Sequence, residues 1–333
     1  MIPKQGEHLS AEIPLNDSEP LRVGIIGMGP VGSILAVHLM EAGADVIACD
    51  VFPNRIDAIK KKGIRLTHTF DKHTHVTDAC LSVQGLDSYD LDLIIVAVKT
   101  PSLQRVIEQL KEIDNGKMCI MCAQNGIDNE MAVGRVFGDH RTLRMVVNFA
   151  GNMASDHEVH VSFFNPPNYV ASLADGGNCM AQKFASMLNS ADLQTEIPVD
   201  IQDYVWEKAI LNAALSAICA ITRRTMKEVM SFPSTLELVE GIIDESVRVA
   251  EMERIELGNK FRRFCIRYLK NAGHHRPSML VDLENGRPTE IDQLNGRIVY
   301  YGRKHCVPTP LNQSMTALVH ILENSSQYFE ATG

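Results

Sequence analysis

Positive charge is the first thing this chain is short of. Its 32 lysines and arginines face 41 acids, a formal net charge of −9 at pH 7. Non-specific nucleic-acid binding feeds on a positive excess, so no nucleic-acid partner is expected. Long apolar runs are missing too. Residues 1–20 are polar, carry Pro3, Pro14 and Pro20 and contain no apolar segment of the signal-peptide kind, which reads as a mobile leader. The most apolar helical stretch, Ala209 to Ile221, is too short to span a bilayer and contains Asn212 and Ser216, so no membrane partner is expected. The eight cysteines are scattered. Cys119 and Cys122 have CxxC spacing but sit in an apolar strand-like run, which favours buried free thiols in a reducing cytoplasm over redox or metal use. There is no internal repeat and no low-complexity segment. What remains is the composition of an ordinary globular protein, 45% hydrophobic, and at 333 residues long enough for two domains.

The most informative segment is residues 21–50. A short apolar run, Val23 to Ile26, leads into Gly27-Met28-Gly29-Pro30-Val31-Gly32. An apolar helical stretch follows, then Gly43, then a second strand-like run, Val46 to Cys49, closed by Asp50. This is the order of a dinucleotide-binding βαβ unit, with the acid about twenty residues after the glycines. Gly27 permits the tight turn, Gly29 lets a pyrophosphate approach the backbone, and Gly32 lets helix and strand pack closely. The helix N-terminus offers N–H groups and a positive dipole to phosphate, and Pro30 is tolerated in its first turn. Gly27 to Gly32 and Asp50 are therefore the expected cofactor-binding residues.

Further along, Arg55 to Gly63 reads as a short helix with three lysines at its end and a glycine stop. Ile64 to Val83 alternates loosely and carries His68, His73 and His75, which suits an exposed strand pair better than a metal site. Leu91 to Val98 is a buried parallel strand ending in Lys99-Thr100-Pro101, and a helix over Leu103 to Ile113 follows. Met118 to Cys122 is the next strand, ending in Gln124-Asn125-Gly126. Open parallel sheets bind ligands at the carboxyl ends of their strands, where Lys99 and Asn125 both stand. A buried strand has no use for a terminal lysine, so Lys99 points to cofactor or substrate contact. Asn125-Gly126 reads equally as turn chemistry. Arg144 to Ala150, Glu158 to Phe164, Tyr169 to Leu173 and Thr195 to Val199 are further strands. From Ile201 the texture turns helical, over Asp203 to Thr222, Ser234 to Ile255, Lys260 to Asn271, Thr289 to His305 and Pro308 to Asn324. A dinucleotide-binding domain over 21–200 and a helical domain over 201–333 are expected.

In the first of these helices Lys208, Asn212 and Ser216 recur at steps of four, on one face of an otherwise apolar segment. A lysine in such a setting faces a cleft or a partner, and desolvation can bring its pKa towards neutrality, making it a workable proton donor. A second constellation spans Pro277 to Asp292, where Thr289 opens a helix after Pro288 and Glu290 and Asp292 enrich its first turn. Helix-start electrostatics alone would account for Glu290.

Taken together, GMGPVG at 27–32, VAVKT at 96–100, QNG at 124–126, the Lys208/Asn212 helix and SMLVDLENGRPTEID at 278–292 resemble the ketopantoate reductase (2-dehydropantoate 2-reductase) family, over roughly residues 21–325. The resemblance implies a doubly wound α/β Rossmann domain followed by an all-α C-terminal domain of the 6-phosphogluconate dehydrogenase-like type. It implies a general acid at Lys208, substrate hydrogen bonds from Asn212 and Ser278, and a place for Glu290 in holding the cofactor and the active-site network. It puts Lys99 at the cofactor and Asn125 at cofactor and substrate. The reaction implied is NAD(P)H-dependent reduction of ketopantoate to pantoate, for pantothenate and coenzyme A supply. Ser216 departs from the pattern, standing where asparagine is usual, so contacts to the far end of the substrate change. Asp50 departs as well, where NADP-dependent members present arginine or another phosphate-tolerant residue, and it favours NAD over NADP. Reduction of another branched-chain or aromatic 2-oxo acid stays open, as does a non-catalytic nucleotide sensor. Exposed helices in the second domain would suit a homodimer.

Overall fold

The computed structural model describes residues 19–174 and 177–324, so the expected leader falls almost wholly outside the described residues. The chain divides into two compact units. The first holds residues up to Val98, Ser102–Gln124 and Asn129–Ile201, and the second holds Lys99–Pro101, Asn125–Asp128 and everything from Gln202 on. Two short stretches that follow strand ends thus pack with the helical unit.

Twelve strands are present among the described residues: β1 (Arg22–Ile26), β2 (Asp45–Cys49), β3 (Ile64–His68), β4 (Lys72–Thr74), β5 (Asp78–Cys80), β6 (Leu93–Val96), β7 (Cys119–Cys122), β8 (Thr142–Val146), β9 (Phe149–Ser155), β10 (Glu158–Phe164), β11 (Asn168–Ser172) and β12 (Thr195–Glu196). The main sheet runs β12-β11-β8-β7-β6-β1-β2-β5. From β5 to β8 all neighbours are parallel, and β11 then joins β8 antiparallel. The parallel part has the doubly wound order, with its reversal between β1 and β6. Alternate residues of these strands feed two different cores. Val23, Ile25, Leu93, Ile95, Cys119 and Met121 pack on one side, whereas Ile26, Ile94, Val96, Ile120 and Cys122 pack on the other. Burial on both faces is why the runs read as continuously apolar.

A second sheet, β4-β3-β10-β9, adds its apolar face to the first of these cores. The expected strand pair over Ile64 to Val83 is only half right. β3 and β4 pair antiparallel, but Asp78 to Cys80 leave to lie parallel to β2 in the main sheet. The three histidines serve this local architecture. His68 packs its ring on His160 with centroids 4.6 Å apart, and His73 bonds the Lys62 carbonyl through Nε2 at 2.6 Å. The stretch Arg144 to Ala150 is likewise two strands in two sheets. Between them the Asn148 N–H donates to Asn168 Oδ1 at 2.7 Å and its amide Nδ2 to the Pro167 carbonyl at 2.6 Å, diverting backbone and side chain from either ladder.

Helices of the first unit are α1 (Pro30–Glu41), α2 (Pro53–Lys62), α3 (Leu103–Ile113), α4 (Asn129–Phe137) and α5 (Asn178–Ser190). The second unit is built from α6 (Ile201–Thr222), α7 (Met226–Ser231), α8 (Pro233–Met252), α9 (Phe261–Lys270), α10 (Ser278–Glu284), α11 (Asn295–Lys304) and α12 (Pro310–Glu323). By length and hydropathy the 22-residue α6 could cross a membrane, yet 67% of its apolar window is buried inside the protein, the pattern of a core helix. A polar cluster holds the helices round it in register. Glu245 of α8 accepts the Leu311 and Asn312 N–H groups of the first turn of α12, at 2.8 and 3.0 Å. Asn295 of α11 donates to Asn312 Oδ1 and to the Ala213 carbonyl of α6.

The expected single helix from Thr289 to His305 is broken. A 3₁₀ turn, Ile291–Gln293, comes first, and α11 starts only at Asn295. The Gln293 carbonyl accepts the Ile127 N–H at 3.0 Å, and Gly126 lies so near that a Cβ there would stand 2.6 Å from Gln293 Cβ. A non-local backbone contact has displaced the helical one.

The glycine turn of the first unit is held by contact. A Cβ on Gly32 would meet the Gly27 carbonyl oxygen at 2.0 Å, whereas one on Gly29 would meet nothing within 4 Å. Gly32→Ala should therefore destabilise the protein by about 1–3 kcal/mol, the usual range for overpacking. Gly29→Ala should leave stability nearly unchanged. Urea unfolding of both variants checks this, and equal effects would contradict the packing argument.

Candidate active site

In the first unit the site begins at the reversal of strand order. Gly27 adopts φ +97°, and its N–H donates to the Cys49 carbonyl at 2.8 Å, so β1 turns sharply over the end of β2. α1 starts at Pro30, and its first turn leaves backbone N–H groups without intrahelical acceptors. Together with the open space at Gly29 this forms a cradle that a Cβ would fill, which fits a pyrophosphate. Met28 and Val31 complete the turn, Met28 with its side chain in the core. Gln124, at the end of β7, adds a second sign of an unfinished site. It is buried, and neither its Oε1 nor its Nε2 has a partner among the described residues.

Asp50 is buried at the end of β2 and works hard for the turn itself. Its Oδ2 accepts the Met28 N–H at 2.8 Å and pairs with Arg55 at 3.1 Å, and its Oδ1 accepts the Phe52 N–H at 3.1 Å. The Arg55 guanidinium also lies over the Phe52 ring, 5.0 Å from its centroid. Phe52 itself is exposed. An acid, an arginine and an aromatic face are thus assembled at the end of β2.

In the second unit one buried carboxylate gathers two loops. Glu290 accepts the Thr100 hydroxyl at Oε1, 3.2 Å, and the Asn125 amide at Oε2, 3.4 Å. The Thr100 hydroxyl also lies 3.1 Å from the Asn125 carbonyl. Lys99, next in the chain, pairs with Asp282 at 2.6 Å, the lysine side chain 45% exposed and the aspartate 3%. Asp282 receives Arg287 on its other oxygen at 3.1 Å. Asp128 anchors the far end of the second loop by accepting the Tyr301 hydroxyl at 2.9 Å and pairing with Arg297 at 3.0 Å. Thr100, Asp282, Arg287 and Asp128 were not singled out from sequence. Asp282 was legible in principle, since an acid on the inner face of a short apolar helix needs a cation.

Lys208 and Asn212 are half-buried on one face of α6, and Ser216 is buried two turns beyond Lys208. Ser278 is exposed as the first residue of α10, following Pro277. Lys99, Asn125 and Glu290 therefore come together through direct or neighbouring contacts, and Lys208, Asn212 and Ser216 form a row along one helix. Among the described residues no cluster of three or more histidines, cysteines or acids is placed to hold a metal ion.

Known proteins resemble the chain along most of its length. A family model described as ketopantoate reductase PanE/ApbA matches residues 23–173, and its C-terminal counterpart matches residues 200–323. The 2-dehydropantoate 2-reductase of Streptococcus pyogenes serotype M6 is 27% identical over 303 residues, 90% of this chain and 97% of that protein. A ketopantoate reductase family structure from Ralstonia eutropha JMP134 superposes with a TM-score of 0.83 at 25% identity, covering 92% of this chain and all of that one (100%). D-mandelate dehydrogenase, solved with NADH and anilino(oxo)acetate, superposes with a TM-score of 0.82 at 25% identity, covering 92% of this chain and 99% of that one.

Beside Lys208 on α6, Glu207 lines a hollow of about 480 Å³ together with Leu257, Phe261 and Phe264. Burial first, and then the charge of Asp203 one turn away, push its carboxyl up to about 7. The folded state therefore binds an extra proton between the ordinary carboxylate range and about pH 7. Stability should be highest while Glu207 is neutral, fall as pH rises through that interval by about 1–3 kcal/mol, and level off above it. Glu207→Gln should remove this slope, and urea unfolding of both proteins from pH 5 to 8 reads it. A variant that keeps the wild-type slope would contradict the assignment.

Proposed function

The chain belongs to the ketopantoate reductase family of oxidoreductases, and from that premise we propose that it reduces the C2 carbonyl of 2-dehydropantoate to the alcohol of pantoate. The observation that carries this reading is the convergence on Glu290. Three separate motifs, VAVKT, QNG and TEID, meet in the hydrogen bonds from Thr100 and Asn125 to that one carboxylate. A helix-start acid would have no need of either.

The dinucleotide pyrophosphate is assigned to the Gly27–Gly32 turn, where the open side of Gly29 and the first turn of α1 suit it. When bound, a reduced nicotinamide supplies the hydride. Negative charge then develops on the carbonyl oxygen, and the Lys208 ammonium delivers the proton to it. Asn212 and Ser278 orient the acid by hydrogen bonds, and Asn125 sits where substrate and cofactor approach. Glu290 fixes the Asn125 amide and the Thr100 hydroxyl, and Lys99 is steadied by Asp282. All eight cysteines are free thiols, which fits a reducing compartment, and the cytoplasm is the setting assigned.

A second substrate reading rests on Ser216. Its side chain is buried and shorter than the asparagine of the family pattern, and it lacks the amide, so a 2-oxo acid with a bulkier branched or aromatic side chain is the alternative. A panel of 2-oxo acids read by nicotinamide absorbance decides. The largest kcat/KM should fall on 2-dehydropantoate, and a higher value for an aromatic 2-oxo acid would move the assignment to the alternative. No turnover on any member would overturn both. On the best substrate, Lys208→Ala should lower kcat by about 10²–10⁴-fold with cofactor affinity little changed. Near wild-type kcat at neutral pH would remove Lys208 from the mechanism.

NADH is the reductant assigned. Asp50 keeps a carboxylate at the end of β2, and its Oδ1, which accepts the Phe52 N–H, has a further lone pair with which to accept a ribose hydroxyl. A 2′-phosphate would bring like charge to that carboxylate in a sheltered crevice. Arg55 is the counterweight, but it is held by Asp50 and would have to leave it to reach a phosphate. Steady-state kinetics with both cofactors should give the higher kcat/KM with NADH. Asp50→Asn, which keeps an acceptor for the Met28 N–H, should narrow the gap. A preference for NADPH in the unmodified protein would reverse the assignment.

A further inference from the structure

Cys49 and Cys80 are the last residues of β2 and β5 and direct partners in the parallel register. Their side chains leave the same face of the sheet, and both pack into the same apolar cluster, Cys49 buried and Cys80 half-buried. Neighbouring strands lie about 4.8 Å apart, inside the Cα separation of about 4.4–6.8 Å that a disulfide spans. With the two side chains neighbours on one face, Cys49 lowers the Cys80 thiol from its ordinary range, and Cys80 together with burial raises the Cys49 thiol. Cys80 is thus the attacking sulfur of the pair and the one nearer solvent.

The backbone on either side of these sulfurs is the scaffold of the glycine turn. The Cys49 carbonyl accepts the Gly27 N–H at 2.8 Å, and the Cys80 carbonyl accepts the Asp50 N–H at 3.2 Å. Asp50 in turn holds the Met28 N–H. We propose that Cys49 and Cys80 form an oxidisable dithiol, a modification site whose closure to a disulfide loosens the Gly27–Gly32 turn and weakens whatever dinucleotide that turn binds. The co-reactant is a peroxide. The Cys80 thiolate attacks one peroxide oxygen, the O–O bond breaks, and the departing hydroxide takes a proton to become water. The Cys49 sulfur then attacks the Cys80 sulfenic acid, the S–O bond breaks, and a second water leaves with the Cys49 proton. Two thiols are oxidised by two electrons and one peroxide is reduced to two waters. Closing a bond of about 2.05 Å ties the two strand ends to each other through their side chains, and the two carbonyls that anchor the turn belong to these same residues, so the turn is where the constraint is felt.

The effect on binding rests on the dinucleotide reading of the turn, so two readouts separate the claims. The full-length protein is treated with hydrogen peroxide and digested without reduction for peptide mapping. A Cys49–Cys80-linked peptide should appear at peroxide levels that also oxidise the exposed Cys306. Amide hydrogen exchange over residues 27–32 should speed up in the oxidised protein and recover with dithiothreitol. NADH affinity, by fluorescence titration, should fall about fivefold or more, the lower end of ordinary site-to-site coupling. Cys80→Ser and Cys80→Ala should both abolish the peptide, the exchange change and the affinity change. Absence of the linked peptide, or its formation without faster exchange in the turn, would overturn the proposal. Reduced protein that binds no dinucleotide would instead count against the proposed function, with mapping and exchange still deciding the dithiol.

Discussion

A carboxylate removed from water must be given donors, and the candidate residues of each unit are organised round that requirement. In the first unit Asp50 collects the Met28 and Phe52 N–H groups and the Arg55 guanidinium, and so fixes the glycine turn to the end of β2. In the second unit Glu290 collects the Thr100 hydroxyl and the Asn125 amide, and Asp282 collects Lys99 and Arg287. Each acid is buried, and Glu290 and Asp282 tie together segments far apart in sequence. The same arithmetic governs the helical core, where Glu245 serves the first turn of α12 from another helix. Buried acids here do the work that loop rigidity would otherwise have to do.

The requirement also explains what could be read from sequence and what could not. The glycine turn is local. Its strand, its three glycines, its helix and its acid lie within thirty residues, and each has a steric reason visible in the residue type. The Glu290 network is the opposite case. Its partners stand 190 and 165 residues away, so Glu290 on its own reads as an acid at a helix start. That reading failed because no regular helix begins there. The Gln293 carbonyl is taken by Ile127, a contact that periodicity cannot anticipate. Strands buried on both faces were legible as apolar runs. The division of Arg144 to Ala150 between two sheets was not, because Asn148 gives no sign in sequence that Asn168 will bond it.

Asp50 was legible as an acid and only half legible in role. Its position at the end of β2 is the ground for proposing a part in cofactor choice, and in the structure it braces the turn. The proposed role is compatible with the observed one, because a carboxylate has about four acceptor positions and three donors among the described residues reach this one. Arg55 then acquires a meaning that spacing alone left open. Held by Asp50 and stacked on Phe52, it neutralises the acid without displacing it. On the proposed reading, cofactor choice rests on this pair and on whether the arginine stays with the aspartate.

The row on α6 follows a different logic. Lys208 and Asn212 are half-buried and Ser216 is buried, so the row runs from a wetter end to a drier one along a single helix face. A proton donor that must be recharged after every turnover belongs at the wetter end, where water can reach it. Groups that only recognise shape gain most at the dry end, where a missing hydrogen bond is not replaced by solvent. If the row lines the acid substrate as proposed, exchanging an amide for a hydroxyl at Ser216 acts at the dry end and leaves the proposed chemistry at Lys208 alone. A reductase framework could change its acid substrate by that route with the proton donor, the Glu290 network and the glycine turn all kept.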